Sequence, residues 1–229
     1  MSAPAPRERR SQAERTATAA RRMVRAAGRL IARQGYTKTT LAQVGKEAGY
    51  TGGLVSHHFG SKEGLLRDLV DRFTGRFYSD QLVAAVDDRV GIEALCATAD
   101  TYLKELVLRE DRMRTLYVLM GESLGPVSEI NEVFSDLNNG FRASARRSIT
   151  EGIERGEVRS DLDPDAEAAL FVGMLRGVAF QWMADPGAFD LEAVAASVKD
   201  SLRAHLGTES RRLGADSRNL GVDPQRRNR

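Results

Sequence analysis

The stretch AGYTGGLVSHHFGSKEGLL, Ala48 to Leu66, gathers serines, two adjacent histidines, several glycines and a lysine, residue types that could bind a metal, attack a carbonyl or cradle a phosphate. Each chemistry imposes a spacing. Neighbouring residues on a helix point about 100° apart, so His57 and His58 cannot share one ion, which needs ligands three or four residues apart. The third histidine, His205, is remote in sequence, and Cys96 is the single cysteine, so the reading assigns no metal site and no disulfide. Ser56 beside His57 has neither a shared face nor the strand-to-helix elbow of a hydrolase, which leaves no catalytic residue to assign. The glycine-lysine order departs from a P-loop, and no strand precedes it. Nothing here calls for a cofactor.

The alternative is a pair of short helices hinged at a glycine. Helical periodicity runs through nearly the whole chain and sustained strand alternation is lacking, so the expected class is all-α, with about nine helices. Ala20, Met23, Val24, Ala27, Leu30 and Ile31 form one face of a first helix, opened by a Ser11–Glu14 capping box or at Thr18 and closed at Gly35. A second runs from a Thr39 or Thr40 cap to Ala48, a third from Thr51 to Phe59, and a fourth starts at Ser61 and buries Leu65, Leu66, Leu69 and Val70. Gly91 opens another helix, Asp111 to Leu124 forms the next, and Pro126 is the expected first position of a long helix that stops at Gly156. Asp163-Pro164 and Asp190 begin the last two.

Two short helices with a turn at Gly49-Tyr50 have the spacing of a helix-turn-helix, in which the first helix braces and the second lies in the major groove. On that reading Gly49 supplies a backbone angle that side chains resist, and Gly52 and Gly53 let the backbone approach a duplex. Charge agrees. Residues 1–62 hold twelve Lys/Arg against three Asp/Glu, a balance of +9, while the remainder carries −7, although the whole chain nets only +2.

In order and spacing, Ala26-Ala27, Gly35-Tyr36, Thr39-Thr40, Ala48-Gly49, Gly53, His58-Phe59 and Ser61-Lys62-Glu63 with Leu65-Leu66 resemble the DNA-binding domain of the tetracycline-repressor (TetR) family of bacterial regulators. The resemblance implies a homodimer with an N-terminal three-helix reader and a C-terminal domain whose small-molecule effector lowers operator affinity. Carried over by position, Thr40, Ser56, His58 and Lys62 would meet phosphates, while Thr51, Gly52, Leu54 and His57 would face base edges. The family most often has tyrosine where this chain has Ser56; a serine there is similar to its choline-responsive betaine-pathway repressors. No Arg or Lys lies between Gly52 and Phe59, so bidentate guanine contacts from the helix interior are unavailable. Reading then falls to His57, backbone and methyl groups, helped at the edge by Thr39 or Lys38 and by the basic arm Arg7-Glu8-Arg9-Arg10.

The expected division is a basic arm over 1–12, a reader over 13–68, a ligand and dimerisation domain over 69–206, and a polar tail over 207–229, both ends lacking fixed structure. Tyr117, Met120, Phe134, Phe141, Phe171 and Met174 are the soft and aromatic candidates for a pocket wall. The last two helices could pair with their copies as a four-helix bundle. The expected partners are double-stranded operator DNA, a second copy of the chain and an unidentified small-molecule effector. No run approaches the roughly 18 apolar residues of a membrane helix, so no membrane partner and a cytoplasmic location are expected. A helical enzyme and a non-DNA interaction scaffold are the competing classes.

Overall fold

A computed structural model describes residues 11–76 and 89–208. The described residues form nine helices: α1 (Gln12–Gln34), α2 (Leu41–Ala48), α3 (Gly52–Phe59), α4 (Lys62–Arg76), α5 (Gly91–Leu108), α6 (Glu110–Glu122), α7 (Ser128–Glu154), α8 (Pro164–Ala184) and α9 (Leu191–Leu206). The extended pairing among them is an isolated bridge between Val158 and Gly207. None of these helices is long and apolar enough to cross a membrane.

The start signals are set by side-chain oxygens that satisfy otherwise orphaned N–H groups. Ser11 and Glu14 form a reciprocal capping box, and Thr40 does the same with Gln43, which settles the first two helix starts at Ser11 and Thr40. Thr51 accepts from Leu54 N–H, and Ser61 accepts from Gly64 N–H. Asp163 and Asp190 cap α8 and α9. Pro126 departs from expectation: it lies in the turn after α6, and the long helix starts two residues later, its first N–H bonds running to the Val127 carbonyl. Proline restricts the residue before it, so Gly125-Pro126 favours a turn.

The chain divides into two compact units, Met1–Arg76 with Arg109–Ser135, and Phe77–Leu108 with Asp136–Arg229. This division differs from a cut near residue 68. In the first unit α1 is central, burying Met23, Val24, Ala27, Leu30 and Ile31 among side chains that include Leu65, Leu66, Leu69 and Val70 of α4 and Met113, Leu116 and Leu119 of α6. Thr115 of α6 donates its hydroxyl to the Gly28 carbonyl of α1 at 3.1 Å, and Arg112 donates to the Phe73 carbonyl of α4 at 3.3 Å. In the second unit α5 packs on α8 and α9 through Leu95, Ala99, Leu103, Phe171, Leu175, Val198 and Leu202. Residues 207–208 are held by the backbone: Gly207 N–H donates to Arg203 O at 3.0 Å and Thr208 N–H to Glu157 O at 3.3 Å. The remaining tail, 209–229, and the basic arm over 1–10 lie outside the described residues, while Ser11 and Gln12 already belong to the cap and first turn of α1.

Candidate nucleic-acid interface

The crossing of α2 and α3 is built on two glycines that leave no room for side chains. A Cβ on Gly45 would lie 2.7 Å from the Thr51 carbonyl carbon and from Gly52 N, and a Cβ on Gly52 would lie 2.8 Å from Ala42 Cα. Gly52 therefore serves the approach of one helix to the other. Gly53 is different, since a Cβ there meets nothing nearer than Thr51 Oγ1 at 3.9 Å. Gly49 closes α2 in the left-handed region at φ +79°, with the Tyr50 N–H donating to Gly45 O at 2.8 Å.

These constraints fix which face of α3 looks outward. Val55 is fully buried, Phe59 partly so, and Gly53, Leu54 and His57 are exposed together on the opposite side, with Ser56 and His58 half-buried at its flanks. Leu54 is 40% exposed on this face. His58 sets its ring edge-on to Phe59, centroids 4.6 Å apart. Thr40 and Thr51 are exposed at the N-termini of α2 and α3, where backbone N–H groups and the helix dipole favour anions. Thr39 does not join them. It is 3% exposed and its hydroxyl donates to the Gly35 carbonyl at 2.7 Å, so it is spent on the end of α1.

Lys62 is also more committed than its sequence position suggests. Its ammonium donates to the Thr37 carbonyl at 3.2 Å and sits 4.1 Å above the Tyr36 ring. Partial burial lowers its pKa, against the pull of Glu122 and Glu129. Burial also raises the Tyr36 hydroxyl to about 12, reinforced by the Glu129, Glu63 and Glu122 carboxylates. Among the described residues of this unit, Arg15, Arg21, Arg22, Arg25, Lys38 and Lys46 are exposed and enter no ion pair, which leaves their positive charge uncompensated.

Arg29 and Arg33 are not in that group. Both reach from α1 to Glu47 of α2, at 3.0 and 2.7 Å, and bolt the bracing helix to the core helix. Their hydrogen bonds hold the Glu47 carboxyl below its ordinary 4.5. A carboxyl depressed in the folded state stabilises above its unfolded pKa, and that contribution is lost as pH falls through the folded value. Wild type should therefore outlast Glu47→Gln in thermal unfolding at neutral pH, with the gap closing below pH 4.5; a gap independent of pH would show that these pairs do not act through charge.

The six residues singled out as pocket wall do not fall in one unit. Tyr117, Met120 and Phe134 belong to the first, and Phe141, Phe171 and Met174 to the second. Phe141 and Phe171 are buried in an aromatic cluster with Tyr102, centroids 5.7 and 6.3 Å from Phe141, with the Arg176 guanidinium 6.0 Å from the Phe141 ring. An open groove of about 580 Å³ between α5 and α9 is lined by none of the six; its apolar floor includes Leu103, Val107, Leu191 and Ala195. On α8, Ala166, Ala169, Leu170, Gly173, Gly177, Phe180 and Ala184 form a continuous exposed stripe, Leu170 and Phe180 being 64% and 66% exposed. On α9 the outward face carries small residues, Ala193, Ala196, Ser197 and Ala204.

A capped brace helix, a left-handed glycine and a short helix with one outward face define a helix-turn-helix protein of the all-helical class. Residues 23–69 match the family described as bacterial regulatory proteins, tetR family, and residues 91–207 match the C-terminal domain described as BetI-type transcriptional repressor. The chain belongs to the TetR family of transcriptional regulators. It is 28% identical over 177 residues to the transcriptional repressor KstR2 of Rhodococcus jostii, covering 74% of this chain and 81% of that protein. Its fold is shared with NalD of Pseudomonas aeruginosa, a secondary repressor of a multidrug efflux pump, at TM-score 0.73 and 21% identity over 86% of this chain and 99% of that one. A regulator from Saccharomonospora viridis in complex with choline is similar at TM-score 0.70 and 23% identity, over 83% and 98% of the two chains.

Proposed function

We propose that the protein represses transcription by binding a two-fold symmetric operator as a homodimer, and that a small organic effector releases it. The observation that carries the reading is the outward face of α3, where Gly53, Leu54 and His57 stand exposed between two flanking polar residues while Val55 anchors the helix from behind. His57 and the backbone at Thr51 and Gly53 read base edges; Leu54 supplies an apolar contact suited to thymine methyl groups. Thr40, Ser56, His58 and the N-terminus of α4 at Lys62 meet phosphates. Dimerisation uses the exposed stripes of α8 and α9, since an apolar face of this length on a water-facing helix marks an interaction surface. The effector enters the second unit, with half-buried Met174, three residues after the buried Phe171 on α8, in its wall. The protein acts in the cytoplasm, by binding and without turnover. KstR2 and NalD are described as repressors, and the Saccharomonospora protein holds choline, which supports both halves of this reading.

Selection of binding sites from random duplexes tests it. A palindrome should emerge, its half-sites about one helical turn apart or a small multiple of it; equal affinity for all sequences would refute the proposal. The arm at residues 7–10 adds phosphate contacts. Deleting residues 1–10 spares the Ser11 cap and should flatten the salt dependence of operator binding by roughly 0.9 in log–log slope for every phosphate that the arm neutralises. An unchanged slope would remove the arm from the interface.

A further inference from the structure

Glu122, the last residue of α6, lies outside every element that a reading of the DNA-binding segment would include. Its carboxylate nevertheless accepts three hydrogen bonds from the turn between α1 and α2. Tyr36 N–H donates to Oε1 at 2.9 Å, and the Thr37 N–H and hydroxyl both donate to Oε2 at 3.2 Å. Bonds to an ionised acceptor are stronger than neutral ones, and two backbone donors fix the direction of the chain as well as its distance.

The turn is shaped around this carboxylate. Gly35 sits at φ +83°, which side chains rarely adopt, and a Cβ there would collide with Glu122 Oε1. On its far side the same turn is held by Lys62, whose ammonium donates to the Thr37 carbonyl and caps the Tyr36 ring. Three residues further on, Thr40 opens α2. A single short turn thus links the end of α6, the start of α4 and the start of α2, and the latter two are N-termini to which the proposed function assigns phosphate contacts.

We propose that Glu122 is a positioning residue for operator binding: without touching DNA, its carboxylate holds the 36–37 turn so that the N-termini of α2 and α4 keep the spacing that the phosphates of a half-site require. This rests on the function proposed above. Thr37 is exposed, so water can replace the missing acceptor there, while the part-buried Tyr36 N–H loses its partner, a cost that thermal unfolding reads. What disappears is placement.

The sign of the effect separates placement from charge. Removing an anion near a DNA-binding face should, through its field alone, strengthen binding to every duplex. Placement demands the reverse for the operator only. In Glu122→Ala, operator affinity is expected to fall by about tenfold or more, as for removal of charge-assisted bonds, while affinity for random duplex, which imposes no fixed half-site register, does not fall. Glu122→Gln, which keeps the shape and one acceptor, should fall between the two. Amide exchange at Tyr36 and Thr37 should quicken in the same order.

The test compares wild type and both variants on the selected operator and on random duplex across a salt series, with thermal unfolding as the control for folding. If wild type selects no operator, the functional reading fails and this inference with it. If wild type selects one and folded Glu122→Ala binds it equally well, or loses operator and random affinity alike, only the positioning role is overturned. Should the alanine variant not fold, Glu122→Gln decides: faster exchange at Thr37 with unchanged operator affinity also overturns it.

Discussion

Replacing Leu170 and Phe180 together by arginine leaves a folded monomer whose operator affinity is about 10²–10⁴-fold below that of the parent protein. The reasoning starts from α8, which is apolar on two sides. One side buries Ala168, Phe171, Val172, Leu175 and Ala179 within its own unit. The other presents Leu170, Gly173, Gly177 and Phe180 to solvent, and a Cβ at either glycine would meet nothing within 4 Å. Leu170 and Phe180 are 64% and 66% exposed and lie outside the buried core of their unit, so exchanging them should leave folding intact. At the proposed interface two arginines would meet their symmetry copies, and like charges in a desolvated interface repel strongly. Joining two readers makes the second half-site encounter intramolecular, and that gain disappears with the dimer. Sedimentation and operator binding, measured side by side, decide it. A double variant that remains dimeric would move the interface to another surface; one that is monomeric yet binds as before would refute the need for two subunits.

The second large effect is expected at Gly45. Substitution by alanine pushes a methyl group against backbone atoms at Thr51 and Gly52, which cannot swing aside as a side-chain end would. Overpacking of this kind costs about 1–3 kcal/mol, and the relief open to the molecule is for α3 to move away from α2. Both the unfolding temperature and operator affinity should fall, because the helix that moves is the one proposed to lie in the groove. Gly53→Ala provides the opposite case. Its site is open and helical, so alanine should stabilise the chain by up to about 1 kcal/mol. Operator binding should weaken all the same if DNA backbone comes close to Gly53; a variant both more stable and equally tight would show that α3 presents this position to water.

The difference between these two glycines marks where sequence reasoning stops. Thr51, Ser61, Asp163 and Asp190 are legible as caps because a cap acts within three residues of itself, so its chemistry and its consequence share one window. The buried face of α1 was legible for the same reason, through the period of its apolar residues. Gly52 and Gly53 are neighbours with identical chemistry, and only the crossing with α2 assigns one to packing and leaves the other open. Gly45 carries no local signal at all, since nothing in the middle of a short helix distinguishes it. Thr39 beside Thr40 repeats the lesson for hydroxyls, since the end of α1 claims one and the start of α2 the other. Glu47 and Glu122 look like ordinary solvated acids, and their partners lie 14 to 18 and 85 to 86 positions away. The pocket wall was least legible. Soft and aromatic side chains mark cores and cavities alike, and the six candidates fall in two different compact units.

That the first unit is assembled from two separated stretches of chain bears on how such regulators can be recombined. A hybrid that borrows only residues 1–76 from a relative would set a foreign α1 against the native α6, and the Thr115–Gly28 and Glu122–Thr37 bonds would each have one native and one borrowed end. Working chimaeras should therefore be those that transplant residues 109–135 as well, so that operator preference passes between relatives as a package of two segments, inherited together or not at all.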